Sequence, residues 1–500
     1  MINEKGIRIA IEGCLKEKGP VKKVLVALSG GADSLFLTYM LCRYRDRWAK
    51  DLEIMAVTID HKYRAESTEE AYEIGKRVKP WGVRHTVETM RYGDRRVDDI
   101  KNFEEVARTK RYAMLEHVCR AYGIRDLFLG HNLDDCIETY LQRLQMNSSV
   151  FGLVGLKPRS LMPTPIGELR GQNGYISILR PLLNYRKREI VSSCQNYGIR
   201  WFEDRTNADV NLTTRNFLRH VIGDVVPNRL LDPTLSDVEK KEMRLISFEA
   251  LEQTYRKVID YCTLAQVGIG NLRERLQKHI FYDERNLSLS LAFDQYAVEE
   301  FSHIVISRFL YQMLYPLSAS KYYYWSYAKL ERQAVPRILD FYSKNKGSLQ
   351  KLKLTYLNIS FLVRTDKNQN LLIEMSRQPI MKNDLPSLIK EVHLSDQGEW
   401  SRWLLFDNRY WLGFRLRLSP GAHIIIMPFA YNNAHHRRLI KIIREKSENL
   451  VMPKYLEGIP IIYEKNTHAP IALPTLDIEF FPKPVECRWD VKENVYNSSV

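Results

Sequence analysis

The first 150 residues contain runs of apolar residues that alternate with longer amphipathic stretches. The apolar runs predict buried strands at residues 24–28, 51–59, 83–87 and 125–129. The amphipathic stretches predict helices at residues 35–41, 66–79, 102–122 and from 133 onward. Strands that alternate with helices indicate an α/β fold with a doubly wound, mainly parallel sheet. In such a sheet, ligands bind beyond the carboxyl ends of the strands.

The remainder of the chain lacks this regular alternation. Residues 237–344 are predicted to be mostly helical, and residues 352–363 and 371–375 to be strands. A hairpin is predicted at 403–418 and a basic helix at 435–446. We therefore predict three domains, which are an α/β domain at 1–226, a mostly helical domain at 227–400 and a small α+β domain at 401–500.

Composition and charge narrow the class of protein. Lys and Arg number 75 against 60 Asp and Glu, and the net charge of +15 suits a polyanionic partner such as RNA, although it also serves solubility. No apolar run approaches the roughly 18 residues that span a bilayer, so we expect no membrane segment.

The seven cysteines include no C-x-x-C pair. Their scatter argues against a zinc ribbon or a cluster-binding site and is typical of an intracellular protein with reduced thiols.

The first predicted strand runs directly into a glycine loop, Ser29-Gly30-Gly31-Ala32-Asp33-Ser34, and then into a helix. Glycines let the backbone approach a phosphate closely, and the N–H groups and dipole of the helix start attract it. The loop is not a Walker A motif, since no Gly-Lys-Ser/Thr follows. The alternative is a plain strand–turn–helix corner in which Asp33 or Ser34 caps the helix.

Three acidic residues lie close together on the helix predicted from residue 133. Asp134 and Asp135 occupy its first turn, where the helix dipole favours acids, but Glu138 lies one turn further in. Carboxylates three or four residues apart on a helix repel each other. A cation would relieve this repulsion, either Mg²⁺ bridging phosphates or the ammonium of an amine substrate. Asp33, at the mouth of the phosphate site, is a further candidate ligand for Mg²⁺.

These two motifs belong to an ordered series that covers nearly all of residues 22–220. The series comprises SGGADS at 29–34, TIDHKYRAESTEE at 58–70, EEVARTKRY at 104–112, GHNLDDCIET at 130–139, GLVG at 152–155, RPLL at 180–183, WFEDRTNAD at 201–209 and RNFLRH at 215–220. It resembles the motifs of the tRNA(Ile)-lysidine synthetases, which are N-type pyrophosphate-loop ATPases with an adenine nucleotide α-hydrolase-like fold. Near the C-terminus, RRLIKII at 437–443 and PKYLEGIPIIY at 453–463 resemble the family's tRNA-binding domain.

The resemblance implies a two-step reaction on the wobble cytidine of an isoleucine tRNA with a CAU anticodon. ATP adenylates the C2 oxygen of the base, and pyrophosphate is released. The ε-amine of L-lysine then attacks C2 and displaces AMP, which leaves lysidine and allows decoding of AUA. On this expectation the ligands are ATP, Mg²⁺, L-lysine and the tRNA, and residues 1–226 form the catalytic domain.

The resemblance and the residue chemistry together assign candidate roles. The expected ATP site comprises Ser29, Gly30, Gly31, Ala32, Asp33, Ser34, Asp60, His61 and Arg108. Asp33 and Asp134 are the expected ligands of Mg²⁺. Asp135 and Glu138 are expected to bind the lysine ammonium, although the Mg²⁺ and lysine roles could be exchanged among the acids. The expected catalytic residues are Asp33, His131, Asp135 and Glu138, and the expected tRNA contacts are Arg205, Arg215, Asn216 and Arg219.

The chain departs from the family pattern in two places. Met146-Asn147-Ser148-Ser149 replaces a Gly-rich Arg-Gly-Ser-Gly segment, and a longer loop at 160–175 precedes RPLL. These departures favour a eukaryotic, organellar member that acts in mitochondria, whereas a bacterial protein would act in the cytoplasm. Glu4, Glu12 and Glu17 are atypical of a transit peptide. The sequence leaves the oligomeric state open, with a homodimer as one option.

Two rival functions follow from the same motifs. One is another pyrophosphate-loop tRNA-modifying enzyme, above all a thiolase, which would need catalytic or cluster-binding cysteines near the loop. The other is a non-catalytic RNA-binding protein built on a decayed ATPase. Binding alone requires neither the intact glycine loop nor the acids at 134–138.

Overall fold

The structure is a computed structural model that describes residues 2–15, 21–61, 67–91, 103–163, 175–203, 210, 213–321, 323, 326–395, 398–417, 421–446, 455–480 and 485–492. The described residues up to 262 form one compact unit, and those from 263 onward form a second. None of the described helices is both long enough and apolar enough to cross a bilayer.

A six-stranded sheet organises the first unit. Its strands are β1 (Lys23–Ala27), β2 (Glu53–Asp60), β3 (Arg84–Thr89), β4 (Asp126–Phe128), β5 (Arg159–Leu161) and β6 (Ser177–Leu179). They lie in the order β3-β2-β1-β4-β6-β5, and every neighbouring pair is parallel except β5 with β6. The predicted doubly wound, mainly parallel sheet is confirmed, and the antiparallel edge strand β5 is an addition that the sequence did not indicate.

Helices pack on both faces of this sheet because its strands are apolar on both faces. The helices of this part of the chain are α1 (Glu4–Leu15), α2 (Ala32–Trp48), α3 (Ser67–Val78), α4 (Phe103–Ala121), α5 (Leu133–Gln145), α6 (Val150–Leu153), α7 (Lys187–Asn196), α8 (Thr214–His220), α9 (Val226–Leu231), α10 (Asp237–Leu245) and α11 (Phe248–Leu276), the last of which continues past residue 262. Val24 and Val26 of β1 lie in the same buried cluster as Leu35 of α2. Leu25, on the opposite face of the strand, clusters with Leu115 of α4.

The strands β1 and β4 are neighbours at the centre of the sheet, with Leu25 opposite Leu127 and Val26 opposite Phe128. The chain leaves β1 towards β2 on one side, and the sheet continues through β4 and β6 on the other. Such a position is the topological switch point of a doubly wound sheet, where adjacent loops diverge and leave a crevice. The glycine loop follows β1 and Gly130 follows β4, so both predicted motifs open at this crevice.

Antiparallel sheets and shorter helices make up the second unit. One sheet has the order β7-β8-β11-β10-β9, the next has the order β12-β15-β16-β17-β18, and a third has the order β13-β14-β19. The strands are β7 (Ile280–Asp283), β8 (Ser288–Phe293), β9 (Lys351–Tyr356), β10 (Ile359–Thr365), β11 (Leu371–Arg377), β12 (Lys390–Leu394), β13 (Leu404–Phe406), β14 (Tyr410–Leu416), β15 (Ala422–Pro428), β16 (Pro460–Glu464), β17 (Pro470–Leu473), β18 (Ile478–Glu479) and β19 (Val485–Val491). The helices are α12 (Gln295–Glu300), α13 (His303–Leu314), α14 (Tyr327–Lys329), α15 (Val335–Lys344), α16 (Leu385–Leu388) and α17 (Ala434–Lys446).

The second unit confirms several predicted elements and adds others. The hairpin predicted at 403–418 is formed by β13 and β14, and its turn places Asp407 and Asn408 at positive φ values of 46° and 53°. The predicted basic helix is α17. Residues 237–344 are largely helical, but they also contain the β7–β8 hairpin, which the sequence analysis did not place. The domain boundaries at residues 226 and 400 stay predictions.

Candidate active site

The glycine loop leaves the start of α2 uncapped and open. Gly30 has a φ of +82°, and a Cβ atom there would lie 2.4 Å from Ile74 Cδ1, so both conformation and space require glycine. Gly31 is the N-cap of α2, and no side chain caps this helix end. A Cβ on Gly31 would find its nearest neighbour, Ser29 Oγ, 3.7 Å away, so the backbone here is open to a ligand. The alternative of a corner capped by Asp33 or Ser34 is therefore wrong.

Hydroxyl groups and a later segment of the chain hold the shape of the loop. Ser29 Oγ lies 3.2 Å from Ser34 Oγ, and the Ser34 hydroxyl donates to the Gly31 carbonyl at 3.0 Å. The N–H of Phe202 donates to the Gly30 carbonyl at 2.9 Å. The segment that follows α7 therefore holds the glycine loop in place through a backbone hydrogen bond.

Asp33 lies at the mouth of the loop and is held by groups from two later elements. Its Oδ1 accepts a hydrogen bond from Asn132 Nδ2 at 3.1 Å, and its Oδ2 accepts one from Lys187 Nζ at 2.5 Å. Burial raises the pKa of the Asp33 carboxyl group, and the Lys187 ammonium opposes that shift. A Cβ on Gly130 would lie 3.0 Å from the backbone carbonyl carbon of Asp33 and from the Ser34 nitrogen. Glycine at position 130 thus lets the β4–α5 connection pass close to α2.

Asn132 begins α5 with a capping box. Its side chain accepts the N–H of Asp135 at 3.1 Å, and the Asp135 carboxylate accepts the N–H of Asn132 at 2.9 Å. Asp134 turns to α7 instead, where its Oδ2 accepts the N–H of Lys187 at 2.8 Å and its Oδ1 lies 3.8 Å from Arg186 Nη2. Asp134 therefore provides a hydrogen-bond acceptor for an N–H group in the first turn of α7. Its predicted part in binding Mg²⁺ stays a prediction.

The other two acids of α5 bind arginines of α8. Arg215 Nε lies 2.5 Å from Glu138 Oε2, and Arg215 Nη2 contacts Asp135 Oδ1. Arg219 Nε lies 2.7 Å from Glu138 Oε1. The Glu138 side chain is 3 % exposed, so α8 supplies the cations that this buried acid requires. The predicted lysine-binding acids and two predicted tRNA-binding arginines are thus each other's partners, and both sets of roles stay predictions.

His131 is held in its neutral form beside these acids. Arg180 of the RPLL motif donates from Nε to His131 Nδ1 at 3.1 Å, which places the ring proton of a neutral imidazole on Nε2. Burial lowers the pKa of His131 far below its ordinary value; Asp135 opposes this shift, whereas Arg180, Arg215 and Arg108 add to it. Near neutral pH, His131 can therefore offer a ligand an N–H donor without carrying a charge.

The remaining predicted ATP contacts lie at or near the same edge of the sheet. Asp60 at the end of β2 accepts the hydroxyls of Ser67 and Thr68 at 2.7 Å each, so it also holds the start of α3. His61 follows it directly in the chain. Arg108 is exposed on α4, and its charge contributes to the pKa of His131.

The two other predicted tRNA contacts are Asn216, which also lies on α8, and Arg205. Asn216 is 9 % exposed, and its N–H is capped by Thr213 Oγ1 at 3.1 Å. Arg205 lies outside the described residues. Their roles in binding tRNA stay predictions.

The acids present fit a magnesium ion that arrives with ATP. Among the described residues, no group of three or more His, Cys, Asp and Glu side chains could hold a metal ion alone. Mg²⁺ in ATP-using enzymes is usually bound by one or two carboxylates together with the substrate phosphates. Asp33 is the carboxylate that stands at the mouth of the phosphate loop, so it suits this arrangement.

Sequence reasoning missed three residues that shape the site, namely Asn132, Arg180 and Lys187. A signal existed for Asn132, since Asn is a favoured N-cap residue and stands directly before the helix predicted from residue 133. A signal also existed for Lys187, because it lies in a run of three basic residues, 186–188, at a helix start that disfavours cations. Arg180 lies in the RPLL motif, but nothing local indicates its partner His131, which lies 49 residues away.

The chain is similar to known proteins over both its N-terminal half and its full length. Residues 5–226 match the family described as the PP-loop domain. A probable tRNA(Ile)-lysidine synthase of Schizosaccharomyces pombe is 25 % identical over 469 residues, which are 92 % of this chain and 92 % of the relative. A tRNA(Ile)-lysidine synthase of Brucella ovis is 33 % identical over 198 residues, and that match covers 39 % of this chain and 40 % of the relative.

Among solved structures, the chain is similar to a U34-tRNA thiolase of Methanococcus maripaludis. The TM-score is 0.38 and the identity 17 %, over 51 % of this chain and 79 % of the thiolase. The match to the PP-loop domain covers the six-stranded sheet and the glycine loop. The match to the Schizosaccharomyces pombe relative extends through the second unit. Residues 5–226 therefore match the PP-loop domain, and the resemblance to the tRNA(Ile)-lysidine synthases that the motifs indicated is confirmed.

Proposed function

We propose that the chain is a tRNA(Ile)-lysidine synthase. It adenylates the C2 oxygen of the wobble cytidine in an isoleucine tRNA with a CAU anticodon, and it then replaces AMP with the ε-amine of L-lysine. Relatives of that name support tRNA modification by a PP-loop enzyme, and the PP-loop domain supports the use of ATP. The observation that carries the proposal is the switch point, where an uncapped glycine loop lies beside the start of α5, the helix that carries the three acids.

The first step requires the charges of ATP to be held while pyrophosphate leaves. N–H groups of Gly31 and Ala32, with the hydroxyls of Ser29 and Ser34, bind the phosphates. Asp33 would hold Mg²⁺, which offsets negative charge on the phosphates when it is bound. As the C2 oxygen bonds to the α-phosphorus, the bond from that phosphorus to the bridging oxygen breaks, and its electron pair leaves with pyrophosphate.

The second step requires the amine of lysine beside C2. Asp135 and Glu138 bind the ammonium, but the same carboxylates already bind Arg215 and Arg219. A third cation would repel the other two, so one arginine must turn away as lysine enters. Arg219 suits this movement because its side chain is 41 % exposed. The carboxylate can then accept a proton as the amine attacks C2 and AMP leaves.

The state of the cysteines disfavours a thiolase. All seven are free, and six of them are buried. Burial raises the pKa of Cys136, on the same helix as the acids, to about 12, and that of Cys194, near Asp33, to about 11. Such thiols stay protonated and are poor nucleophiles at neutral pH.

The free-energy cost of burying the Glu138 carboxylate argues against a non-catalytic RNA-binding protein. Glu138 is buried and needs two arginines to compensate its charge, an arrangement that RNA binding alone does not require. A chain that released no pyrophosphate from ATP in the presence of CAU-anticodon tRNA and Mg²⁺ would favour this alternative.

Incorporation of labelled lysine into tRNA transcripts tests the proposed function. We expect lysine to enter the isoleucine tRNA with a CAU anticodon and not methionine tRNAs, which carry the same anticodon. Asp33→Ala and Glu138→Ala should abolish the reaction. Incorporation into neither tRNA would contradict the proposal, whereas equal incorporation into both would keep the chemistry and overturn the specificity. A sulfur-transfer assay in parallel separates the thiolase alternative.

The proposal also includes a mitochondrial location and leaves a homodimer as one possible assembly. The departures from the bacterial pattern at 146–149 and 160–175 support a mitochondrial site of action. Cell fractionation measures the location, and sedimentation of the full chain measures whether it forms a homodimer.

A further inference from the structure

Lys187 connects α7 to the glycine loop. Its backbone N–H donates to Asp134 Oδ2 at 2.8 Å, which fixes the first residue of α7. Its ammonium donates to Asp33 Oδ2 at 2.5 Å, in the first turn of α2. The lysine is therefore anchored at its backbone and reaches the phosphate loop with its side chain.

The stability of α7 does not account for a lysine at this position. Arg186, Lys187 and Arg188 are the N-cap and the first two residues of the helix, where the dipole disfavours cations. The ion pair with Asp33 is a weak explanation as well. The Lys187 side chain is 45 % exposed, and ion pairs with an exposed partner contribute little to stability.

The glycine loop must hold a highly charged triphosphate without a lysine of its own. In a Walker A loop, a lysine within the motif reaches the β- and γ-phosphates. The residues 29–34 supply N–H groups, hydroxyls and the acid Asp33, but no cation. An ammonium has three N–H donors. Lys187, which gives Asp33 one of them, can therefore bind phosphate oxygens beside the loop.

We propose that Lys187 is a catalytic residue that binds the β- and γ-phosphates of ATP and stabilises the leaving pyrophosphate. This assignment rests on the proposed use of ATP at the site. When the bond between the α-phosphorus and the bridging oxygen breaks, its electron pair moves onto pyrophosphate. The Lys187 ammonium compensates part of that charge, and the step transfers no proton. AMP lacks these phosphates and makes no contact with Lys187.

Calorimetric titration of the full chain with ATP, pyrophosphate and AMP, all with Mg²⁺, tests the assignment. We expect Lys187→Met to weaken the binding of ATP and pyrophosphate at least about 10-fold, because a charge-assisted hydrogen bond is lost. AMP affinity should change less than about 2-fold. Lys187→Arg, which keeps the charge, should restore most of the affinity for pyrophosphate.

Arg188→Met provides the matched control. It removes a positive charge from the next residue of the same helix, where the side chain is exposed, and it should leave the binding of all three ligands unchanged. Unchanged ATP binding in Lys187→Met would overturn the assignment. An equal loss for AMP and ATP would overturn it too, since that result indicates a structural role. If Lys187→Met does not fold, Lys187→Gln takes its place in the same comparison.

A double-mutant cycle with Asp33→Asn separates direct contact from action through Asp33. We expect Lys187→Met to weaken pyrophosphate binding in the Asp33→Asn background as well; no further loss there would overturn direct contact. These titrations need neither lysine nor tRNA. A wild-type chain that binds ATP through Lys187 but incorporates no lysine would overturn the proposed function and leave the assignment of Lys187 standing.

Discussion

At the residue scale, Glu138 combines burial with a full set of charged partners. Its side chain is 3 % exposed, and both of its oxygens are bound by Arg215 and Arg219. Removing one member of a buried ion pair leaves the other charge buried without compensation. A substitution at Glu138 therefore affects stability and chemistry together, and its test must separate the two.

We expect Glu138→Gln to lower kcat/KM for lysine at least about 100-fold, because an ionic contact worth roughly 3 kcal/mol is lost. Pyrophosphate release with tRNA should fall less than about 10-fold, since the glycine loop is intact. The free energy of unfolding should fall by about 3 kcal/mol. Labelled-lysine incorporation, pyrophosphate release and urea unfolding measure the three effects.

The control for this variant is Glu252→Gln, which removes a carboxylate that pairs with Arg256 on α11. It should leave both rates unchanged. Equal losses of lysine incorporation and pyrophosphate release in Glu138→Gln would contradict a role specific to the second step.

His131 makes stability depend on pH in a definite direction. Its folded pKa is lowered, so between pH 6.5 and 5 the unfolded chain takes up a proton that the folded chain does not. Stability from this group is present above about pH 6.5 and is lost as the pH falls. We expect the wild type to lose up to about 2 kcal/mol more than His131→Asn between pH 7.5 and 5. Urea unfolding of both proteins at the two pH values measures this, and parallel curves would contradict a neutral His131.

At the scale of elements, the close passage of the β4–α5 connection over α2 sets the geometry of the crevice. A Cβ on Gly130 would meet the backbone of Asp33 and Ser34 at 3.0 Å, and a backbone cannot move aside as a flexible side chain can. We expect Gly130→Ala to weaken ATP binding at least about 10-fold and to lower Tm by several degrees. Calorimetric titration with ATP and thermal unfolding provide the two values.

Gly13→Ala is the control for this element. Gly13 lies inside α1, and a Cβ there would have no neighbour within 4 Å. Alanine should therefore leave ATP binding unchanged and stabilise the helix by up to about 1 kcal/mol. A Gly130→Ala protein with wild-type ATP affinity would show that the crevice tolerates a wider spacing.

How much the sequence predicts differs between elements. The β1–α2 and β4–α5 units follow from local periodicity, so the sheet, the glycine loop and the acids were predicted in place. The need of Glu138 for a cation was predicted, but its partners on α8 were not, because pairing over about 80 residues depends on the tertiary fold. The strand Ser288–Phe293 alternates polar and apolar residues and could have been found, but the helical residues around it obscured this short signal.

At the scale of the whole molecule, three basic residues of α17 lie together at one open cavity of about 580 Å³. The cavity is lined by Arg437, Lys441 and Arg444, together with Tyr431, Ile440 and Glu445. Lys and Arg beside an aromatic ring suit the phosphates and bases of RNA. This helix lies in the segment that resembles the tRNA-binding domain of the lysidine synthetases.

We expect Lys441→Glu combined with Arg444→Glu to weaken tRNA binding at least about 10-fold. The slope of log K against the logarithm of the salt concentration should become shallower by about two, because two phosphate contacts are lost. Pyrophosphate release at saturating tRNA should be unchanged, because α17 contributes no residue to the glycine loop. Filter binding at several salt concentrations measures the affinity. Lys344→Glu combined with Lys367→Glu makes the same change of net charge elsewhere in the second unit. An equal loss in that control would indicate a nonspecific effect.

The residues that hold the glycine loop in place are synthesised long after the loop itself. Gly30 is held by Phe202, and Asp33 by Lys187, so the chain must grow by more than 150 residues before either contact can form. At about 5–20 residues per second, translation of that stretch takes on the order of ten seconds or more. During this interval a nascent chain displays the nucleotide signature but lacks the groups that fasten it. Acquisition of nucleotide binding on the ribosome therefore reports that the chain has emerged and folded as far as Phe202, and not merely through its opening motif.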